Sequence, residues 1–310
     1  MPFGRNSGAA LADPGGVRIW FFLGAAIAFA CGAAPLPNQA VELNARGARA
    51  LAEGDLETAD SALSVALEYS PHFVDALVNL GLVECQRGNF ERARTLLMRA
   101  RRLNPDVAQP HHALGVLAER ERRPDVASQH YWDALHVDPG FAPARENLGR
   151  LQFDAGLFEA ASLTFKKLIQ VAPNSASGYA GLSEALLRLG RESEAETFIE
   201  EARTHFPDDP SIALLAARTA LRHDEFALAE RELSVLTERH DEYAARAYAW
   251  LAALYLAQGR PELAVQVANR ALGLLPDDPV AIYVTAEALA ALGDPRAPAW
   301  LERRRKLGSR

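Results

Sequence analysis

Few residues in this chain are of the types that perform chemistry, and their spacing does not gather them. The 310 residues include eight histidines and two cysteines. His111 and His112 are the only adjacent histidine pair. Neighbours on a helix point about 100° apart, so these two rings do not converge on one ion. The remaining histidines are scattered and read as surface or packing residues. There is no G-x-x-x-x-G-K-[ST] loop for phosphates, no G-x-S-x-G elbow and no H-E-x-x-H helix. No strand segment is evident, and no glycine-rich turn follows one. Cys31 and Cys85 are too few for a disulfide framework. The expectation is a chain with no catalytic centre, no metal and no cofactor, whose work is done by surfaces.

The composition agrees with that. Apolar residues make up 49% and charged residues 24%, an ordinary balance for a folded protein. Alanine and leucine dominate, and both favour helix. The net charge is −7. Residues 31–295 carry 25 Lys+Arg against 38 Asp+Glu, a net of −13. Phosphate backbones need clustered cations, so this acidic body argues against nucleic acid as a partner. The cations concentrate at the end, where Arg296, Arg303, Arg304, Arg305, Lys306 and Arg310 face only Glu302. They suit a solvated last helical turn, or contact with anionic lipid or an acidic partner.

The elements that would position such surfaces are legible as a repeat. Pro71, Pro105, Pro139, Pro173 and Pro207 recur every 34 residues. Gly47, Gly81, Gly115 and Gly149 share one phase, continued by Ser183, Ala217 and Ala252. Ala59, Ala93, Ala127, Ala161, Ala195, Ala229 and Ala264 share another. Leu63, Leu97, Tyr131, Phe165, Ile199, Leu233 and Ala268 share a third. A fixed period of this length marks a helix–turn–helix array. The small phases are where two antiparallel helices touch, since a larger side chain would overpack the contact. The larger phase is expected to fill the groove between neighbouring repeats. Proline ends each second helix, and Gly54, Gly88, Gly156, Gly190 and Gly259 turn the chain within a repeat. In the second copy this predicts helices over Val74–Arg87 and Phe90–Leu103. The sixth copy has Asp224 for the turn glycine, Asp241 for the proline and one extra residue before the seventh. An irregularity is expected near His240–Glu242.

This pattern resembles the tetratricopeptide repeat family. The resemblance implies an all-α fold, a right-handed α-solenoid of tandem helix–turn–helix units. Seven repeats span 40–278, and 279–310 form a partial eighth repeat with a capping helix. It also implies a non-enzymatic scaffold that holds other proteins against an inner wall built from the first helix of each repeat. On that wall, Val78, Leu82, Cys85 and Val116 form an apolar patch, with His112 beside it. Glu146, Arg150, Glu184, Arg188, Arg218 and Arg222 form a mixed-charge strip around Phe153, Leu187 and Leu221. An apolar floor with a charged rim suits an amphipathic helix or an extended peptide. Leu82, Val116, Arg150, Phe153, Arg188 and Arg222 are expected to face solvent in the free protein and to carry most of the partner affinity; the other reading is that some apolar inner-wall side chains pack between adjacent first helices. Members that bind chaperone tails use a clamp of Lys, Asn, Asn, Lys and Arg. Asn79 and Asn147 occupy the central Asn phase, but Asn44, Ala48, Gln109 and Ala113 surround the first, and His112, Val116, Ser177 and Gly181 the second. The cations are missing, which excludes a chaperone tail as ligand.

Residues 1–30 are of another kind. Arg5 and Arg18 precede twelve uncharged apolar residues, Ile19 to Ala30, followed by Cys31-Gly32-Ala33-Ala34-Pro35. A basic start, a short apolar core and a small-residue end describe an export signal. A spanning helix needs about 20 apolar residues. Ala28-Phe29-Ala30-Cys31 resembles a bacterial lipobox, which would make Cys31 the lipidated residue. The same run reads as an A-x-A cleavage site releasing a soluble protein, and an uncleaved membrane anchor is the third reading. Residues 31–39 form a short linker, so a lipid on Cys31 would hold the repeats close to the membrane. The combined resemblance is to envelope lipoproteins of this repeat family that help pilus, secretion or motility machinery assemble. The alternative is a soluble exported accessory subunit of an envelope polysaccharide or peptidoglycan synthesis enzyme.

Overall fold

A computed structural model describes residues 10–12, 18–20, 36–239 and 241–308. The apolar run beyond Trp20 and Cys31 itself lie outside the described residues. Near the N-terminus, β1 (Ala10–Ala12) and β2 (Arg18–Trp20) pair antiparallel, with Leu11 opposite Ile19. This short ladder corrects the expectation that the chain has no strand. No helix among the described residues is long and apolar enough to cross a membrane.

Sixteen helices follow among the described residues, in two compact units divided after Pro173. In the first unit the pairs are α1 (Asn38–Ala52) and α2 (Leu56–Tyr69), α3 (Val74–Gln86) and α4 (Phe90–Leu103), α5 (Ala108–Arg120) and α6 (Pro124–Val137), and α7 (Ala142–Asp154) and α8 (Phe158–Val171). In the second unit they are α9 (Ala176–Arg188) and α10 (Glu192–His205), α11 (Pro210–Arg222) and α12 (Phe226–Thr237), α13 (Glu242–Ala257) and α14 (Pro261–Leu274), and α15 (Pro279–Ala291) and α16 (Ala297–Gly308). Odd-numbered helices are the first of each pair. α3 and α4 run within one residue of the limits that the proline and glycine phases predict.

Local chemistry sets these limits. Asp55, Ser175, Asp209, Asp241 and Asp278 accept backbone N–H bonds at the starts of α2, α9, α11, α13 and α15. Each bond satisfies a donor the helix cannot. Pro124, Pro210, Pro261 and Pro279 open their helices, where no amide donor is needed. At the turn after α1, Gly54 adopts φ +79°, and the Asp55 N–H returns to the Ala50 carbonyl at 2.9 Å. That closes the helix with a left-handed residue. The third and sixth repeats lack this glycine, and Arg122 and Asp224 take its place at φ 59° and 58°. The irregularity of the sixth repeat is a shorter α12 of 12 residues and a longer α13 of 16, which Asp241 caps through the Tyr243 N–H.

Each pair closes over its small residues. A Cβ on Gly81 would lie 2.6 Å from Leu97 Cδ2, and one on Gly149 would lie 2.9 Å from Phe165 Cε1. Leu63 and Tyr131 sit in the same way on Gly47 and Gly115. The larger phase was expected between neighbouring repeats; each of these four side chains instead rests on the glycine of its own repeat. Around these contacts the first unit has one continuous apolar core, from Ala40 to Leu148. The second unit is cored by smaller clusters, the largest running from Leu214 to Ala288.

The basic end folds back on its own unit. Arg303 donates to the Pro276 carbonyl at 2.7 Å and lies over Trp300. Arg304 pairs with Glu287 and stacks on Tyr283. Arg305 and Lys306 pair with Glu302. Arg303 and Arg304 thus fasten the terminal helix to its unit, while Arg305 and Lys306 pair within the helix and stay exposed.

Candidate functional site

In the first unit, the inner-wall residues are mostly buried. Val78, Leu82, Cys85, His112, Val116 and Glu146 are each 4% exposed or less. The apolar ones belong to the continuous core, where burial removes their surface from water. The expectation that Leu82 and Val116 face solvent is therefore corrected. Arg150 and Phe153, in the last repeat of this unit, stay half-buried. Arg150 pairs with Glu119 and, at 3.2 Å, with Asp154. Phe153 meets Phe158 edge-on at 5.2 Å.

Polar groups in this wall are bonded to one another. Asn79 donates to Asn44 Oδ1 at 3.0 Å, and both are buried. Asn147 Nδ2 lies 3.0 Å from His112 Nε2. An amide nitrogen can only donate, so that ring nitrogen accepts and His112 is neutral. Burial lowers the His112 pKa to about 3, which agrees. Tyr131 donates to Glu119 Oε1 at 2.5 Å, and burial, followed by the Glu119 charge, raises its pKa well above the ordinary value. The two asparagines of the clamp phase are thus turned onto the preceding repeat.

The second unit is different. Leu187, Arg218, Thr219, Leu221, Arg222 and Trp250 line a shallow, open cavity of about 110 Å³. α9 supplies Leu187, α11 the four residues from Arg218 to Arg222, and α13 Trp250. Arg218 pairs with Glu184 and lies over the Trp250 ring at 5.1 Å. A guanidinium held over an indole by a carboxylate has already lost part of its freedom, which lowers the cost to a partner of engaging it. Arg222 pairs with Glu192, and its side chain is 48% exposed. His223 accompanies Glu196 at 2.6 Å, and that bond raises its pKa. Arg188 is exposed at the end of α9. Here the structure gathers Glu184, Leu187, Arg218, Leu221 and Arg222 as expected from sequence. It adds Trp250 and Thr219, which sequence reasoning missed. Trp250 follows the inner-wall residue Ala249, and a tryptophan at that place in a first helix was the available signal. The charged strip divides between the units: Glu146 and Arg150 belong to the first, and the others to the second.

Among the described residues no group of His, Cys, Asp and Glu is arranged to hold a metal ion. The site is an apolar notch with two arginines on its rim.

The tetratricopeptide repeat profiles match residues 50–117 and 164–219 in one form and 112–176 and 214–279 in another. The chain belongs to the tetratricopeptide repeat family. Members of this family bind other proteins. The chain is 27% identical over 162 residues to the type IV pilus assembly protein PilF of Pseudomonas aeruginosa, covering 51% of this chain and 63% of that protein. It is 25% identical over 265 residues to cellulose synthase operon protein C of Pseudomonas fluorescens, covering 79% of this chain and 21% of that protein. The matches therefore span less than two thirds of either relative. A solved structure of Pseudomonas aeruginosa pilF shares the fold, with a TM-score of 0.58 at 24% identity, over 69% of this chain and 97% of that one.

Proposed function

We propose that this chain is a non-enzymatic adaptor that assembles a bacterial envelope complex, in pilus, secretion or motility machinery, and grips its protein partner through the inner face of the second unit. The observation that carries this is the open notch of Leu187, Leu221 and Trp250 rimmed by Arg218 and Arg222. Its volume suits one aliphatic side chain of an amphipathic helix or extended peptide, and the arginines suit a carboxylate beside it. The similarity to a pilus assembly protein supports the process. The export-type segment and Cys31 support the place, with a lipid on Cys31 holding the repeats at a membrane.

The test is a pair of measurements on each variant, thermal melting and partner capture. Trp250→Ala and Leu221→Ala should each weaken capture by roughly 1 kcal/mol or more, as anchors at an interface do, with little change in melting. A large drop in melting with capture intact would make them core residues and end this reading. Phe153→Ala, in the first unit, is measured alongside. Cys31→Ser should abolish labelling by a palmitate analogue and release the protein from membranes. An unlabelled, freely soluble mature protein would remove the tether.

A second reading is favoured by the similarity to cellulose synthase operon protein C, which runs over more of this chain. It makes the chain an exported accessory subunit of a polysaccharide synthesis enzyme. What co-purifies from detergent extracts separates the two: a pilus, secretion or motility component, or a synthase.

A further inference from the structure

We propose that the inner wall of the second unit takes an amphipathic α-helix that carries an apolar residue at every seventh position and carboxylates at one end. This rests on the reading of that wall as the partner site and names the kind of partner.

The first observation is a row of leucines. Leu187 on α9, Leu221 on α11 and Leu256 on α13 hold the same phase of three successive repeats, and all three are half-buried. On α15 that phase falls on Ala290, which is exposed. α11 touches both α9 and α13, and α13 touches α15. In the first unit the same phase begins with Leu51 and Cys85, both buried, so no such row is open there. Leu187 and Leu221 line the notch, and Leu256 lies beyond it.

The spacing of the row selects the backbone of the partner. Packed helices stand about 8–10 Å apart. A chain laid across them must offer an apolar side chain on one face at about that interval. In a helix, residues seven apart are separated by about 10.5 Å and nearly two full turns, so they share a face. In an extended strand the third residue along comes at about 10 Å but points to the opposite side. A polyproline helix does repeat every three residues, at about 9.3 Å. Grooves that read it are lined with aromatic rings, whereas this row is leucine and the notch has one aromatic, Trp250.

The second observation is charge. Beside the row stand Arg188 and Arg222, then Ala257 and Ala291, all exposed. The phase of Arg218 likewise falls on Ala253 in α13. The arginines of these phases therefore stand over α9 and α11 and stop before α13. Arg218 donates through Nη1 to Glu184, and Arg222 through Nη1 to Glu192. A guanidinium has five N–H donors, so each keeps donors for a second carboxylate. Carboxylates at one end of the partner match them, and the first turn of a helix is where carboxylates are favoured.

The experiment measures binding of fluorescent synthetic peptides to the full chain by anisotropy. The first probe is a helical peptide of about 21 residues, or three heptads, with leucine at every seventh position and glutamates in its first turn. The second has lysines for those glutamates. The third keeps the composition but alternates the leucines, and the fourth is proline-rich with leucine at every third position. The first should bind at least tenfold more tightly than the others. Arg222→Glu should reverse the preference between the first and second. Leu256→Asp, which lies outside the notch, should weaken the first tenfold or more at unchanged melting; if it melts early, the exposed Ala257→Asp is read in its place. Equal affinity for the four peptides, indifference to Arg222→Glu, indifference to the change on α13, or no binding at all overturns the proposal. Partner capture by Trp250→Ala keeps the two readings apart. Capture lost without any peptide preference ends the helical partner and leaves the notch, whereas capture untouched by Trp250→Ala ends the notch itself.

Discussion

Three periods apart, the same phase of the repeat carries Leu82 in the first unit and Glu184 in the second, and likewise Val116 and Arg218. Leu82 and Val116 are fully buried, whereas Glu184 and Arg218 are partly open. The helices that carry them have the same length, 13 residues each. What differs is the second layer of bonding. The first unit ties adjacent first helices with Asn44–Asn79 and His112–Asn147. The corresponding positions in the second unit, Ala180 with Leu215 and Leu214 with Trp250, carry no such polar pair. One repeat backbone thus carries two inner walls of different exposure, and they differ in their polar ties as well as in residue type.

The largest expected effect tests the polar tie. Asn147→Leu leaves the acceptor nitrogen of His112 buried without its donor and removes a donor from Tyr131. An unmet buried polar group costs about 1–3 kcal/mol, so urea unfolding should shift by about 2 kcal/mol. Repeat arrays need not unfold in one step, so the loss should appear first in probes of the first unit. An unchanged profile would mean that the tie carries no stability.

Gly81→Ala should cost about 1–2 kcal/mol. Its Cβ would press on Leu97, and helix propensity recovers only part of that cost. The second unit already uses Ser183, Ala217 and Ala252 at this phase, so the equivalent contact there has room for a Cβ. A melting temperature raised by Gly81→Ala would show that the first unit's contact is equally permissive.

Acid provides a third comparison. The His112 pKa falls from 6.5 to about 3 on folding. The unfolded chain therefore takes up a proton that the folded chain refuses. The stability from neutral His112 is complete above about pH 6.5 and is lost as the pH falls toward 3. Asp75 works in the opposite sense. Burial raises its pKa to about 6, so its contribution favours the folded state in acid and is lost as the pH rises through 6. The informative quantity is the difference between the parent and His112→Asn, which keeps an acceptor but does not titrate. The parent should lose stability faster below pH 6, by up to about 1.4 kcal/mol per pH unit. Parallel curves would mean that His112 is not the group sensed.

The period, the helix limits and the tight A–B contacts were legible in sequence because they depend on local chemistry. Proline, glycine and small residues act within a turn or a helix pair, but that Leu97 rests on Gly81 of its own repeat, and not between repeats, was not read from phase. The exposure of the inner wall was not legible. Leu82 and Leu221 are both apolar inner-wall residues, and nothing local says that one is sealed and the other open. That depends on what else lies against the wall. Trp250 was missed for a related reason. The cavity appears only when α9, α11 and α13 are side by side.

The smallest expected effect lies at the two turns without glycine, one in each unit. Arg122 and Asp224 hold φ near +60°, where a side chain costs roughly 1 kcal/mol or more. Both are exposed. Glycine adopts that conformation freely but has more freedom to lose from the unfolded state. The net gain from Arg122→Gly should be about 0.5–1 kcal/mol, seen as a small rise in melting temperature. Asp224→Gly should gain less, because aspartate tolerates the left-handed region better than arginine does. The order of the two gains is the sensitive outcome. If Asp224→Gly gains more, backbone strain at the turn is not what separates the two sites, and the second unit is the looser one at its turns as well as on its inner wall.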